Sequence, residues 1–259
     1  MSGTVGRIEV RGLRATYTEK GETLVALDGV DLVAEPGEFV AVIGPSGCGK
    51  STLFRILAGL DRPAAGEILF DERITTDPLG ICAYMPQRDA LLPWRRTIDN
   101  VVLGLELAGV PCAEARARAM PLLERFGLGG FERAWPRQLS GGMRHRAAFL
   151  RTVLQGRPAM LLDEPFGALD GITRAEMQEW LLEVWQEVGS TVLLITHDVA
   201  EAVFLADRVV VLTPRPGHVA DIVRIDLPRP RTLAVEESTA FAKHEARLRQ
   251  TLRAHARTR

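Results

Sequence analysis

The chain has 259 residues, 46% hydrophobic and 25% charged, enough for one large globular domain or two modest ones. A formal net charge of −1 leaves no global basic field, so nucleic acid is excluded as an expected partner. Cys48, Cys82 and Cys112 are isolated and show no CxxC spacing, which argues against a zinc site or a disulfide framework and fits a reducing compartment.

The opening residues, MSGTVGRIEVRGLRATY, carry no basic-then-apolar leader, so no secretory signal is expected. No run approaches the roughly 18 apolar residues of a membrane span. A cytoplasmic protein is expected; if it serves a membrane, another chain supplies the span. Residues 8–43 alternate short apolar runs with turns and predict strands, some antiparallel, with Pro36-Gly37 between two of them. From Gly49 to Leu60 the period turns helical, with Leu53, Ile56 and Leu57 on one face. Strands are predicted at GEILF (66–70) and ICAYMP (81–86). Residues 94–150 read as mostly helical, a second lobe inserted over about 88–150. Three buried-type strands follow at AMLLD (159–163), TVLLIT (191–196) and RVVVLT (208–213), with helices between, notably AEMQEWLLEVWQEV (175–188). Short apolar strands alternating with helices predict an α/β fold with a mostly parallel sheet covered on both faces. The tail, 229–259, holds eight Lys/Arg against three Glu and reads as a basic, solvated helix with Phe241, Leu248 and Leu252 aligned.

The chemistry concentrates at few places. GPSGCGKST, the loop of Gly44, Pro45, Ser46, Gly47, Cys48, Gly49, Lys50, Ser51 and Thr52, matches G-x-x-x-x-G-K-[ST] between a strand and a helix. Its glycines let backbone N–H groups close around phosphates. Lys50 adds a point charge at the β/γ end, and the Ser51 hydroxyl is suited to Mg²⁺. Cys48 is expected to be a small filler. In AMLLDEP, Asp163 and Glu164 end an apolar strand, where ligands of open α/β sheets gather. Asp163 is suited to a metal and Glu164 to polarising a water. An acidic turn after a strand would look the same; the lysine loop upstream decides between them. His197 follows TVLLIT, before DVAE, which resembles a capping box of Asp198 with Glu201. Gln87 ends another strand, and Tyr17 offers a ring to an adenine face; both have ordinary structural readings as well. In QLSGGMRHRAAFLR, a Ser-Gly-Gly turn opens a helix whose bare N–H groups form a second place for an anion.

GPSGCGKST, Gln87, LSGGMRHR, LLDEP, ALD and the Thr-His pair occur in the order seen in ATP-binding subunits of ABC transporters, and the chain resembles that family over roughly residues 8–225. The resemblance implies a P-loop ATPase domain over 8–228, with an N-terminal antiparallel β subdomain, a helical subdomain and the tail appended. It implies ATP and Mg²⁺ as cofactors, and Tyr17 as the adenine-stacking aromatic. Lys50, Ser51, Gln87, Asp163, Glu164 and His197 match the family's catalytic set. In that family two subunits meet head to tail, so Ser140, Gly141 and Gly142 would act on the nucleotide of the other copy, and the Asp170 loop would cross the dimer. A homodimer, a transmembrane permease and an extracytoplasmic solute-binding protein are the implied partners, with the chain peripheral on the cytoplasmic face of the membrane. RDALLPWRRTIDNV (88–101) and PRPGHV (214–219) resemble the nitrate/sulfonate/taurine importer group, and importers of vitamin precursors share them. A non-transport ABC ATPase and an exporter subunit are the alternatives. His145 departs from the family, which more often has Gln there; its bearing on cross-dimer contacts is left open.

Overall fold

The computed structural model describes residues 6–19, 22–167 and 169–256. The first five residues, Ala168 of the ALD motif, and Arg257 and Arg259 of the tail lie outside the described residues. Two sheets organise the chain. β1 (Ile8–Glu19) and β2 (Glu22–Ala34) form a long antiparallel pair, and β4 (Ala65–Phe70) and β5 (Arg73–Ile74) extend it in the order β2-β1-β4-β5. The larger sheet adds β3 (Phe39–Ile43), β6 (Cys82–Met85), β7 (Ala159–Asp163), β8 (Thr191–Ile195), β9 (Arg208–Leu212) and β10 (Val219–Arg224), in the order β10-β9-β3-β8-β7-β6. All its neighbours are parallel except β10, an antiparallel edge. The predicted α/β class with a mostly parallel core sheet is therefore what the chain forms.

Every residue of β3, β7 and β8 is buried, because helices or the first sheet cover both faces. The two-residue period sorts the side chains. Phe39, Ala41, Ile43, Leu162 and Leu194 enter the core shared with the helical region. Val40, Val42, Leu161, Leu193 and Ile195 enter the core shared with α1 (Lys50–Leu57) and the antiparallel sheet.

The helical region is more broken than the composition predicts. α2 (Thr97–Val101), α3 (Leu103–Leu107) and α4 (Cys112–Arg125) are followed by a long connection before α5 (Gly141–Val153). That connection holds Gly127 and Gly130 at positive φ and Pro136, which starts a single 3-10 turn, so an uninterrupted helix has no way through it. In the LLPW stretch, Leu91 joins the core while Trp94 stays 70% exposed.

α6 (Gly171–Val188) and α7 (Val199–Leu205) precede the tail helix, α8 (Thr239–Ala256). The reading of α8 as solvated is corrected: Phe241 and Leu248 are buried in the main core and Leu252 packs against it. Two tail arginines also point inward. Arg231, 4% exposed, donates from Nη1 to the carbonyls of Val203, Phe204 and Ala206 at 3.1, 3.0 and 2.8 Å, and from Nη2 to those of Ile225 and Leu227 at 3.4 Å. Arg229 pairs with Asp207 at 2.7 Å and lies over the Trp185 ring at 4.2 Å. Among the described residues no helix is long and apolar enough to cross a membrane. Removing the Arg231 guanidinium leaves buried carbonyls at the end of α7 without donors. Arg231→Met is therefore expected to lower the unfolding free energy by about 3 kcal/mol, read from denaturant midpoints; an unchanged midpoint contradicts this role.

Candidate functional site

β3 delivers the chain to Gly44, and α1 begins six residues later. Glycine is required where the loop is tightest. A Cβ on Gly44 would stand 2.9 Å from both Cys48 Sγ and the Leu212 carbonyl oxygen, and one on Gly49, at φ 103, would meet Leu27 Cδ2 at 2.5 Å. Gly49 caps α1 without a side-chain hydrogen bond, and no acidic residue occupies the first turn, so the helix start keeps its N–H groups and positive end for an anion. Lys50, 8% exposed, donates from Nζ to the carbonyls of Gly44 at 2.8 Å and Pro45 at 3.0 Å, lying along the inside of the loop. Cys48 is buried beneath it, and burial pushes its thiol up, away from a reactive thiolate, consistent with a filler.

Asp163 is the last residue of β7 and is 2% exposed. Burial, foremost, raises its carboxyl above the usual range, with Glu164 adding to the shift; a hydrogen bond from Ser51 and the Lys50 charge oppose it. Its Oδ1 is buried with no hydrogen-bond partner among the described residues. Glu164 then turns with φ 50, the left-handed region, while its N–H still reaches the Ile195 carbonyl at 3.0 Å. That reversal brings the second carboxylate to the groove beside the first. Gln87 Nε2 donates to Glu164 Oε2 at 3.0 Å, and His197 Nδ1 lies 3.5 Å from the same oxygen. The His197 side chain is 68% exposed at the turn after β8. Asp198 caps α7 by accepting from the N–H groups of Ala200 and Glu201. The expected capping box is only half formed, because Glu201 turns inward. Its carboxyl is buried, pushed up to about 8 by burial first and Asp198 second.

Tyr17 projects from β1 with 39% exposure, its hydroxyl 3.2 Å from both Thr52 Oγ1 and Asp61 Oδ2. Arg55 fixes Asp61 through hydrogen bonds of 2.7 and 2.8 Å, so the ring is held at the groove edge by α1 itself. The resulting groove has a volume of about 390 Å³. Tyr17, Ser46, Gly47, Gly49, Lys50, Ser51, Thr52, Gln87 and Glu164 line it, with Leu24, Ala26 and Arg215, three residues that sequence reasoning did not select. The only signal for Arg215 is its place in the PRPGHV stretch.

Gly44, Pro45, Cys48, Asp163 and His197 adjoin residues of this groove without lining it, and Ser140, Gly141, Gly142 and Asp170 do not line it either. Ser140 caps α5, accepting from the Met143 N–H at 3.2 Å, and Ser140 and Gly141 are exposed with Gly142 half-buried beside them. Asp170 caps α6 from an exposed position, and the Thr173 N–H holds its carboxyl below the usual range. His145 faces inward. Its ring is 4% exposed, burial lowers its pKa, and the carbonyls of Pro165 and Glu164 and the Asp89 carboxylate lie close enough to oppose that shift.

The family model described as ABC transporter matches residues 27–167. The chain is 45% identical over 214 residues to the taurine import ATP-binding protein of Yersinia pestis, covering 83% of this chain and 82% of that one. It is 45% identical over 224 residues to the aliphatic sulfonates import ATP-binding protein of Pseudomonas fluorescens, covering 86% and 79%. Among solved structures, a dimeric ATP-binding cassette in a post-hydrolysis state, bound to ADP and Pi, superposes with a TM-score of 0.77 at 30% identity, covering 85% of this chain and all of that one.

The unfolded chain protonates the His145 imidazole below about pH 6.5, while the folded site holds it neutral to lower pH. Stability is then lost as pH falls through that window. His145→Gln removes the proton-binding group, so its thermal midpoint is expected to fall less than the parent's between pH 7 and pH 5. Parallel curves would remove His145 as a source of acid sensitivity.

Proposed function

The chain belongs to the ABC transporter family and is an ATPase, and on that premise we propose that it drives uptake of a small sulfonate-type solute through a separate permease, with two copies enclosing ATP between them. One observation carries the two-copy reading. The chain holds two phosphate-suited helix starts, at Gly49 and at Ser140, and the second does not line the first one's groove. A second copy turned head to tail brings Ser140, Gly141 and Gly142 to the nucleotide on the first, with Asp170 nearby. The dimeric form of the related cassette supports this arrangement.

Within each groove, Tyr17 stacks on the adenine, and the loop from Gly44 to Thr52 wraps the phosphates with Lys50 at their β/γ end. The donor set fits Mg²⁺: a hydroxyl at Ser51, an amide at Gln87, and at Asp163 a buried carboxylate oxygen without a partner among the described residues. Among the described residues no three His, Cys, Asp or Glu side chains cluster as a protein cage, which suits an ion held jointly with phosphate oxygens. Bound there, Mg²⁺ neutralises phosphate charge. Glu164 takes the proton of the attacking water, Gln87 orients the Glu164 carboxylate, and His197 donates to the γ-phosphate. Closure of the dimer follows from tighter ATP binding by the closed form than by the open one, since only differential affinity shifts such an equilibrium. Loss of the γ-phosphate contacts then releases it.

The taurine and sulfonate import relatives support import of a sulfonate-type solute, delivered to the permease by an extracytoplasmic binding protein. The exposed Trp94, a few residues after Gln87, supports docking of the permease on the helical region, with the chain on the cytoplasmic face of the membrane.

Glu164→Gln is expected to lower ATP turnover by at least about 100-fold and to accumulate an ATP-dependent dimer, followed by phosphate release and light scattering. Normal turnover would remove Glu164 as the base. Ser140→Glu places a carboxylate where the reading puts the partner's γ-phosphate. Dimerisation and hydrolysis are both expected to be lost while single-copy ATP binding persists; undiminished hydrolysis would sink the two-copy site.

A further inference from the structure

The nucleotide groove is lined by two cationic side chains, Lys50 and Arg215. Lys50 belongs to the phosphate loop. Arg215 lies far along the sequence, in the loop between β9 and β10, and makes no ion pair or hydrogen bond among the described residues. An exposed arginine on a mobile loop would carry little information, but this loop is hydrogen-bonded to β2 in both directions and packs against the phosphate loop. The Gly217 N–H donates to the Ala26 carbonyl at 2.9 Å, and the Asp28 N–H donates to the Gly217 carbonyl at 3.0 Å. A Cβ on Gly217 would stand 2.1 Å from the Cys48 carbonyl oxygen, so the chain approaches the phosphate loop as closely as a glycine allows. Thr213 closes the loop by donating its N–H to the His218 carbonyl at 3.0 Å and accepting the His218 N–H at its hydroxyl, 3.1 Å away. The backbone beneath Arg215 is therefore registered against β2 and the loop holding Lys50.

We propose that Arg215 is a nucleotide ligand within its own chain, its guanidinium engaging the phosphates of the nucleoside triphosphate bound in the groove. The inference rests on the reading of that groove as the ATP site. A triphosphate is a polyanion, and a planar, permanently charged guanidinium beside it forms charge-assisted hydrogen bonds without needing a particular protonation state. Lys50 supplies charge from inside the loop; Arg215 supplies it from the β2 side, where Leu24 and Ala26 offer none. The contact concerns affinity for the nucleotide, since Glu164, Gln87 and His197 are grouped elsewhere in the site.

The test uses the full-length chain and measures dissociation constants for ATP, ADP and adenosine in Arg215→Ala, Arg215→Lys and Arg215→Glu, with Lys50→Ala alongside. Thermal midpoints without nucleotide establish that each variant folds. ATP and ADP affinities are expected to fall roughly three- to tenfold in Arg215→Ala, to recover in part in Arg215→Lys and to fall further in Arg215→Glu. The loss should shrink as salt rises, and adenosine binding should not change. Wild-type ATP affinity in both Arg215→Ala and Arg215→Glu overturns the contact. So does an equal loss for adenosine, which would mean that the side chain meets the nucleoside and not the phosphates. If Lys50→Ala also binds ATP like the parent, the groove itself is not the nucleotide site, and both readings fall together; a deficit in Lys50→Ala alone leaves the groove standing and removes only Arg215.

Discussion

At Glu164 the backbone takes a left-handed turn, φ 50, immediately after the last residue of a fully buried strand. A non-glycine residue in that region costs about 1–3 kcal/mol, so the surrounding structure must hold it there. The hold comes from the Glu164 N–H bonded to the Ile195 carbonyl, which carries the β7–β8 ladder one residue past the point where the chain reverses. Without the reversal, successive strand residues would face opposite sides of the sheet. With it, Asp163 lies buried against Ser51 while Glu164 meets Gln87 and His197. The chemistry of the groove depends on this single conformational choice.

The same economy of parts appears in how the strands deliver their loops. β3, β7 and β8 lie side by side in parallel, so their carboxyl ends open together. The phosphate loop leaves one, the paired carboxylates leave the second and the His197 turn leaves the third. Gln87 arrives just beyond β6 at the sheet edge and donates to the Glu164 carboxylate. β9 contributes from the other flank: its carboxyl end packs on Gly44, and the loop that follows packs on Cys48. A parallel sheet thus converts elements distant in sequence into neighbours around one pocket.

α5 and the tail show how packing reassigns side chains that look alike on paper. His145 lies five residues beyond Ser140, yet Ser140 faces solvent while His145 is buried against the Glu164–Pro165 backbone. The difference from the family's usual Gln therefore bears on the chain's own carboxylate segment rather than on a surface offered to another copy. In the tail, Arg229 and Arg231 contribute to a formal excess of positive charge, but both are spent on carbonyls, Asp207 and the Trp185 ring. α8 is anchored by Phe241 and Leu248, so the chain after β10 is continuous with the main core.

What the sequence determined by itself was everything governed by a short, contiguous run. The phosphate loop is legible because nine successive residues fix its own turn and the helix start. The strand–carboxylate end is legible because four apolar residues followed by Asp-Glu need no distant partner to be read. The α/β class follows from the alternation of periods, and the helix starts at Ser140 and Asp198 follow from residues that bond within three positions. Tertiary structure alone decided which of these pieces meet. Gln87 lies 77 positions from Glu164, and nothing local marks that hydrogen bond. Arg215, the inward turn of Glu201, the burial of His145 and the carbonyl cage around Arg231 were equally hidden, as was the break in the helical region between α4 and α5. Their positions follow from long-range packing and strand register, and a polar side chain carries the same letter whether it faces water or the core.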